Sequence, residues 1–237
     1  MIRFPNLCVI FALMNGLKKY TFGEELANSI SHALGGVAGL VVCTIFLVWG
    51  YRDGSTMAVL SLWLYLLGVV SSYLASTLYH ACSASRESRK LLLRKFDHAA
   101  IYWHIAGSYS PITLIAMYQA GYHIWAWVIF AFVWVCAIVG TSLSFRKLKT
   151  HSYFETACYV LMGLSILVAF KPFYDSVGLA IVLWVIAEGI SYITGAVLYS
   201  FKRISYMHSV FHLFVILGDI FHFIAVYKVL QLFLPTM

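Results

Sequence analysis

His208 and His212 stand four residues apart, a spacing that puts two imidazoles on one face of any helix containing them, as a metal-binding pair requires. The same pair also suits two core histidines bonded to backbone, so the spacing alone leaves both readings open. His80 joins them through depth. It lies six residues before Arg86, and His208 lies six residues after Lys202, so each is about 9 Å along a helix from its first flanking basic residue. Asp97 follows Lys95 by two residues and falls at the same level. Three imidazoles and a carboxylate thus come to one depth, and three histidines with an open position form the pattern of a catalytic zinc site. Zn2+ is the expected cofactor, because neutral imidazole suits it and nothing in the sequence signals redox chemistry. Asp97 reads as an N-cap, as a carboxylate that holds water at the metal, or as both. Ser76, one turn before His80 on the same face, reads either as bonding back to a helix carbonyl or as addressing the metal water or that carboxylate.

Further polar residues lie where lipid is expected. Glu25, Asn28 and His32 share one helical stripe, with Ser31 beside them, and read as a network tying the first span to its neighbours. Glu188 in the sixth span, and Asp219 with His222 in the seventh, lie deeper, Asp219 on the His212 face seven residues on, and ionisable groups at such positions are site candidates by default. His98 and His104 read as core or supporting residues, and His123 and His151 as loop residues.

The elements that must hold these side chains are membrane helices. Of 237 residues, 62% are hydrophobic and 11% charged, against about 45–50% and about 25% in soluble chains. Soluble enzymes, disordered chains and disulfide-framed secreted domains are excluded, and the five cysteines contain no CxxC pair. Apolar stretches long enough to span fall at about 30–50, 57–82, 97–118, 123–144, 154–171, 176–200 and 206–233, with a loop at 172–175 between the fifth and sixth. The expected fold is all-α: a seven-helix transmembrane bundle over 30–233, preceded by an interfacial segment over 1–29. Within that segment residues 1–13 read as a surface-lying stretch or as lying upstream of a start at Met14, the latter favoured. The net charge of +7 does not point to nucleic acid, because the basic residues cluster between apolar blocks. Thirteen of the sixteen fall on one side, which makes the N-terminus cytoplasmic and the C-terminus extracytoplasmic. Membrane lipids are the expected partners, and oligomeric state is not legible.

Taken together, Glu25-x-x-Asn28-x-x-Ser31-His32, Ser76-x3-His80 with Asp97, and His208-x3-His212 resemble the three motifs of the progestin and adipoQ receptor superfamily. Phe96-Asp97-His98-Ala99-Ala100-Ile101-Tyr102 and Gly107-Ser108-Tyr109-Ser110-Pro111 are similar to its bacterial branch, the hemolysin III family. The resemblance covers about residues 20–233. It implies a seven-helix fold in a bacterial cytoplasmic membrane, zinc on His80, His208 and His212, and Asp97 reaching the metal through water. It also implies kinship with relatives that hydrolyse ceramide, and the hemolysin name implies cytolysis. Three function classes stay open: a zinc-dependent lipid amide or ester hydrolase, a cytolysin or membrane-state sensor with structural zinc, and a proton or ion transporter using Glu188, Asp219 and His222.

Overall fold

The computed structural model describes residues 20–146, 153–201 and 203–234, so the reading of residues 1–13 and that of His151 lie outside the described residues. The described chain is all-helical. α1 spans Phe22–Asp53, α2 Thr56–Ala81, α3 Glu87–Pro111, α4 His123–Arg146, α5 Tyr153–Gly163, α6 Phe170–Tyr199 and α7 Met207–Phe233. A π-helical turn, Ile112–Met117, continues α3, and a 3-10 stretch, Leu164–Ala169, joins α5 to α6. The π-helical turn follows Pro111 directly, and Pro172 lies three residues beyond the 3-10 stretch, where its missing N–H leaves the Val168 carbonyl without its i+4 donor.

Local chemistry sets the ends. Thr21 and Glu24 form a reciprocal capping box that starts α1, and Gly54, with φ of 77°, closes it. Ser55 then caps α2 by accepting from the Ala58 N–H at 3.2 Å. Two expected boundaries are corrected. α3 begins at Glu87, ten residues before Asp97, because Glu87 to Phe96 is rich in strong helix formers; Asp97 is therefore mid-helix and caps nothing. The expected loop at 172–175 is helical, and the chain instead breaks at Gly178, whose φ of 71° and ψ of 172° favour glycine alone.

Side-chain pairs fix the helix directions. Gly35 meets Tyr73 and Gly50 meets Leu62, so α1 and α2 are antiparallel. Lys90 reaching Cys82 while Gly68 meets Gly107 makes α2 and α3 antiparallel, and Trp103 bonding Thr141 with Trp134 bonding Ser110 does the same for α3 and α4. α5 runs with α3, through His98–Glu155 and Tyr109–Gly163. α6 beyond Gly178 runs against α7, through Glu188–His222 and Tyr199–His208. α7 in turn runs with α1, through His212–Asn28 and Phe223–Gly39. The chain therefore reverses between α5 and the main length of α6, at Gly178.

Outward faces are predominantly apolar, as Leu34, Val37, Ile138, Val168, Ile190 and Leu213 illustrate, and Thr44, Ser142 and Thr194 bond back to their own helices, a surface suited to lipid. Among the described residues five helices are long and apolar enough to cross a membrane: Phe22–Asp53, Thr56–Ala81, His123–Arg146, Glu155–Tyr199 and Met207–Phe233. The fourth of these contains the Gly178 break. α3 is not among them, because its first half carries Glu87, Arg89, Lys90, Arg94, Lys95 and Asp97, and its apolar run continues into Ile112–Met117. The chain is a multi-spanning membrane helical bundle.

Candidate metal centre

His80 ends α2, and His208 and His212 begin α7; α1 packs against both helices, and it and Tyr20 just before it supply the partners that orient the rings. The three imidazoles each offer a nitrogen, all within 4.8 Å of one another. His80 Nε2 and His208 Nε2 stand 3.1 Å apart. Tetrahedral zinc with Zn–N near 2.0–2.1 Å separates its nitrogen ligands by about 3.3 Å. His80 and His212 are buried and His208 is half-buried.

The fit to a cation is tested by the opposite ring nitrogens, and all three are engaged. His80 Nδ1 donates to Glu25 Oε2 at 2.7 Å. His212 Nδ1 donates to the Asn28 carbonyl oxygen at 3.1 Å, with Ser31 Oγ also 3.1 Å away. His208 Nδ1 lies 3.0 Å from the Tyr20 hydroxyl. With Nδ1 occupied, Nε2 is the nitrogen each ring can offer, and its lone pair is the group a metal takes. Two such lone pairs at 3.1 Å repel until a cation sits between them. The residues fit a divalent ion.

The Glu25–Asn28–Ser31–His32 stripe follows from the inner face of α1, which continues through Gly35, Gly39 and Cys43. Asn28, fully buried, is a hub: its Oδ1 accepts from Ser209 Oγ at 2.6 Å, its carbonyl accepts from Ser31 Oγ at 3.0 Å, and its Nδ2 lies 3.4 Å from His80 Nδ1. Glu25 turns its second oxygen to Lys90 Nζ at 2.6 Å, and Lys90 also donates to the carbonyls of Tyr79 and Cys82. His32 stacks on His212 with ring centres 3.4 Å apart and meets the Tyr73 ring edge-on. Ser76 is buried one turn before His80, near enough to Asp97 to act on its carboxyl. Asp97 stands close enough to His80 to act on it electrostatically without being one of the three converging ligands.

Asp219 lies apart from the triad. It accepts from Tyr73 at 2.5 Å, from His104 at 2.9 Å and from Tyr192, so one carboxylate joins α2, α3, α6 and α7. Its link to the triad runs through Tyr73 and the His32 ring. Glu188 accepts from His222 Nδ1 at 2.7 Å, one turn deeper. His98 pairs with Glu155 at 2.9 Å, and His123 opens α4 rather than lying in a loop. Sequence reasoning missed Tyr20, Lys90 and Arg94 at the centre, and Tyr73 and Tyr192 at Asp219. Lys90, Arg94 and Asp97 share a stripe at i, i+4 and i+7, a signal legible only once α3 is known to start at Glu87.

Residues 20–223 match the family described as Haemolysin-III related. The chain is 32% identical to "Hemolysin-3" of Bacillus cereus over 86% of its own length and 90% of that protein's. It is 29% identical to "Hemolysin-3 homolog" of Bacillus subtilis over 87% and 94%. A more distant relative is "ADIPOR-like receptor IZH1" of Eremothecium gossypii, 27% identical over 86% of this chain and 72% of that one.

Proposed function

This chain belongs to the haemolysin-III related family within the progestin and adipoQ receptor superfamily, and we propose that it is a zinc-dependent hydrolase of a ceramide-like lipid amide. The observation that carries the reading is the triad of imidazoles, each held by a separate acceptor, beside a carboxylate that is not itself a ligand. We place the centre at the inner leaflet of a bacterial cytoplasmic membrane, in a bundle of seven crossings with the N-terminus inside, as the basic loops favour.

A divalent ion there supplies Lewis acidity toward a carbonyl and lowers the pKa of water toward about 7. The protein supplies the remainder. Asp97 accepts a proton from the attacking water and returns it to the leaving nitrogen. Ser76, buried beside Asp97, offers a hydroxyl that orients that carboxylate. Glu25, Asn28 and Tyr20 fix the three rings, so no reorganisation is needed when charge develops.

The test combines metal analysis of the purified chain with mass spectrometry of lipids incubated with it. His80→Ala, His208→Ala and His212→Ala lose zinc and turnover together; Asp97→Asn keeps zinc and loses at least about a hundredfold in turnover. Turnover by a zinc-free chain, or undiminished turnover by Asp97→Asn, refutes the reading. The name of the Bacillus relatives favours a second one, cytolysis with structural zinc. Dye release from liposomes without lipid cleavage selects it.

A further inference from the structure

One buried charge beside the metal centre has no assigned partner. Arg94 sits on α3 between Lys90 and Asp97, four residues after one and three before the other, on the same helical stripe. It is 8% exposed. Lys90 is occupied by Glu25 and two carbonyls, whereas Arg94 Nη2 is buried with no hydrogen-bond partner among the described residues. No ion pair reaches Arg94 among those residues either.

Its surroundings show where that free donor stands. The guanidinium is near enough to Asp97, Tyr79 and Tyr199 to act electrostatically on each. Tyr79 packs on the His80 ring with centroids 4.6 Å apart, and Tyr199 packs on His208 at 4.9 Å. Arg94, buried one turn beyond Lys90 on the same face of α3, therefore lies on the inward side of that helix, toward the metal centre, and not on its lipid-facing side.

A guanidinium withdrawn from water is strongly disfavoured unless something pairs with it. Its planar fork matches the oxygens of a phosphate in two parallel hydrogen bonds. The charges around it ask for an anion too. Lys90 is balanced by Glu25, and Arg94 by Asp97 only at a distance; a divalent ion on the triad then leaves the centre with two positive charges in excess. At the depth of the inner headgroups, lipid phosphates are the abundant anions that meet this need.

We propose that Arg94 grips the phosphate of a phosphate-bearing lipid amide at the metal centre, so that the ceramide-like molecule taken there is anionic in its headgroup. The inference rests on the reading of the centre as a lipid-processing site, and it narrows the substrate class.

The experiment is native mass spectrometry of the zinc-loaded full chain in detergent, offered dioleoyl phosphatidic acid, a ceramide of matched acyl length, or inorganic phosphate as competitor. The chain retains phosphatidic acid about tenfold over ceramide, and Arg94→Gln loses that margin, as expected for charge-assisted hydrogen bonds. Arg94→Lys keeps part of it, since a point charge remains without the fork. Zinc content stays that of the parent in both variants, which a merely structural role for Arg94 would not give. Equal lipid retention by Arg94→Gln, equal retention of ceramide, or loss of zinc with the lipid overturns the proposal. Displacement by inorganic phosphate at equal concentration assigns the site to free phosphate and overturns its lipid half; persistence of the lipid supports it. The measurement needs no turnover: a chain that cleaves nothing yet holds phosphatidic acid through Arg94 refutes hydrolysis alone. Cleavage of a neutral amide lipid at the parent rate by Arg94→Gln refutes this inference alone.

Discussion

Glu25 touches no metal position, yet it connects two of the most consequential charges in the centre. One oxygen receives the His80 Nδ1–H at 2.7 Å and the other holds Lys90 at 2.6 Å. Removing the carboxylate's charge weakens His80 as a ligand, because the ring's basicity depends on the acceptor behind it. It also strands the Lys90 ammonium, which is 2% exposed. Glu25→Gln is thus expected to weaken zinc binding by about ten- to a hundredfold, read by titration against a chromophoric chelator. Adding Lys90→Met to it removes the stranded charge and restores thermal stability while metal affinity stays low. Parent-like zinc affinity in Glu25→Gln would show that the acceptor is dispensable. At this scale the sequence is legible where type and spacing suffice: the i, i+4 pair and the common depth of His80 nominate the three rings that converge. It is not legible where a partner is distant in sequence. Nothing local to Glu25 says that its acceptor capacity goes to residues 55 and 65 positions away. Lys90 and Arg94 look like loop charges until α3 is extended back over them.

The helices that carry these residues approach closely where glycine lets them. A Cβ on Gly68 would lie 2.6 Å from the Trp103 carbonyl oxygen, and one on Gly107 would lie 2.9 Å from that of Leu64. Both obstacles are backbone, so neither can swing aside, and a methyl at either position must push α2 from α3. His80 hangs from the far end of that same α2, so the separation reaches the metal centre. Gly68→Ala is expected to cost about 1–3 kcal/mol and to lower zinc affinity as well. Gly189→Ala, in α6 with nothing within 4 Å of its Cβ, is expected to leave stability unchanged or raise it by up to about 1 kcal/mol. Thermal unfolding in detergent with and without added zinc checks both; a Gly68→Ala chain as stable as the parent would mean that the close approach is not needed. Hydropathy reads where such helices are but not how tightly they meet, since glycine and alanine score alike as apolar filler. The same blindness misplaces two boundaries. A proline and an aspartate at 172 and 175 imitate a loop, while the break falls at Gly178, where a positive φ and not polarity ends the helix. The basic run before Asp97 imitates a connection although its residues are strong helix formers.

For the whole molecule, the decisive quantity is which end of the bundle faces the cytoplasm. The helix directions put Glu25, His80, Lys90, Asp97 and His208 at one end, and Tyr122 with Asp175 at the other. The first end also holds Arg86, Arg89, Arg94, Lys95, Arg146 and Arg203, while the second has Arg52, Lys171 and Lys228 near it. Insertion retains positively charged loops on the inner side, so the histidine end is expected inside and the C-terminus of α7 outside. A periplasmic phosphatase fused after residue 237 is then active, and a fluorescent protein that matures only in the cytoplasm is dark at the same position. Fusions after the α4–α5 connection give the opposite pattern. Activity reversed at both sites would turn the molecule over and move the metal centre to the outer leaflet. The consequence reaches the chemistry, because the leaflet decides which headgroups Arg94 can meet and whether water arrives at Asp97 from the cytoplasm. Apolar blocks and basic clusters make this orientation readable from sequence, since both are averages over many residues. What the averages conceal is that the basic end is also the end that gathers the three histidines: Lys90, a charge of the basic run on α3, also pairs with the Glu25 that holds His80. Reversing Arg86 and Arg89 to glutamate, both exposed and outside that cluster, therefore tests insertion without touching the site. The fusion pattern is expected to become mixed while zinc content per correctly inserted chain holds, whereas loss of zinc in that fraction would mean that topology and site cannot be separated.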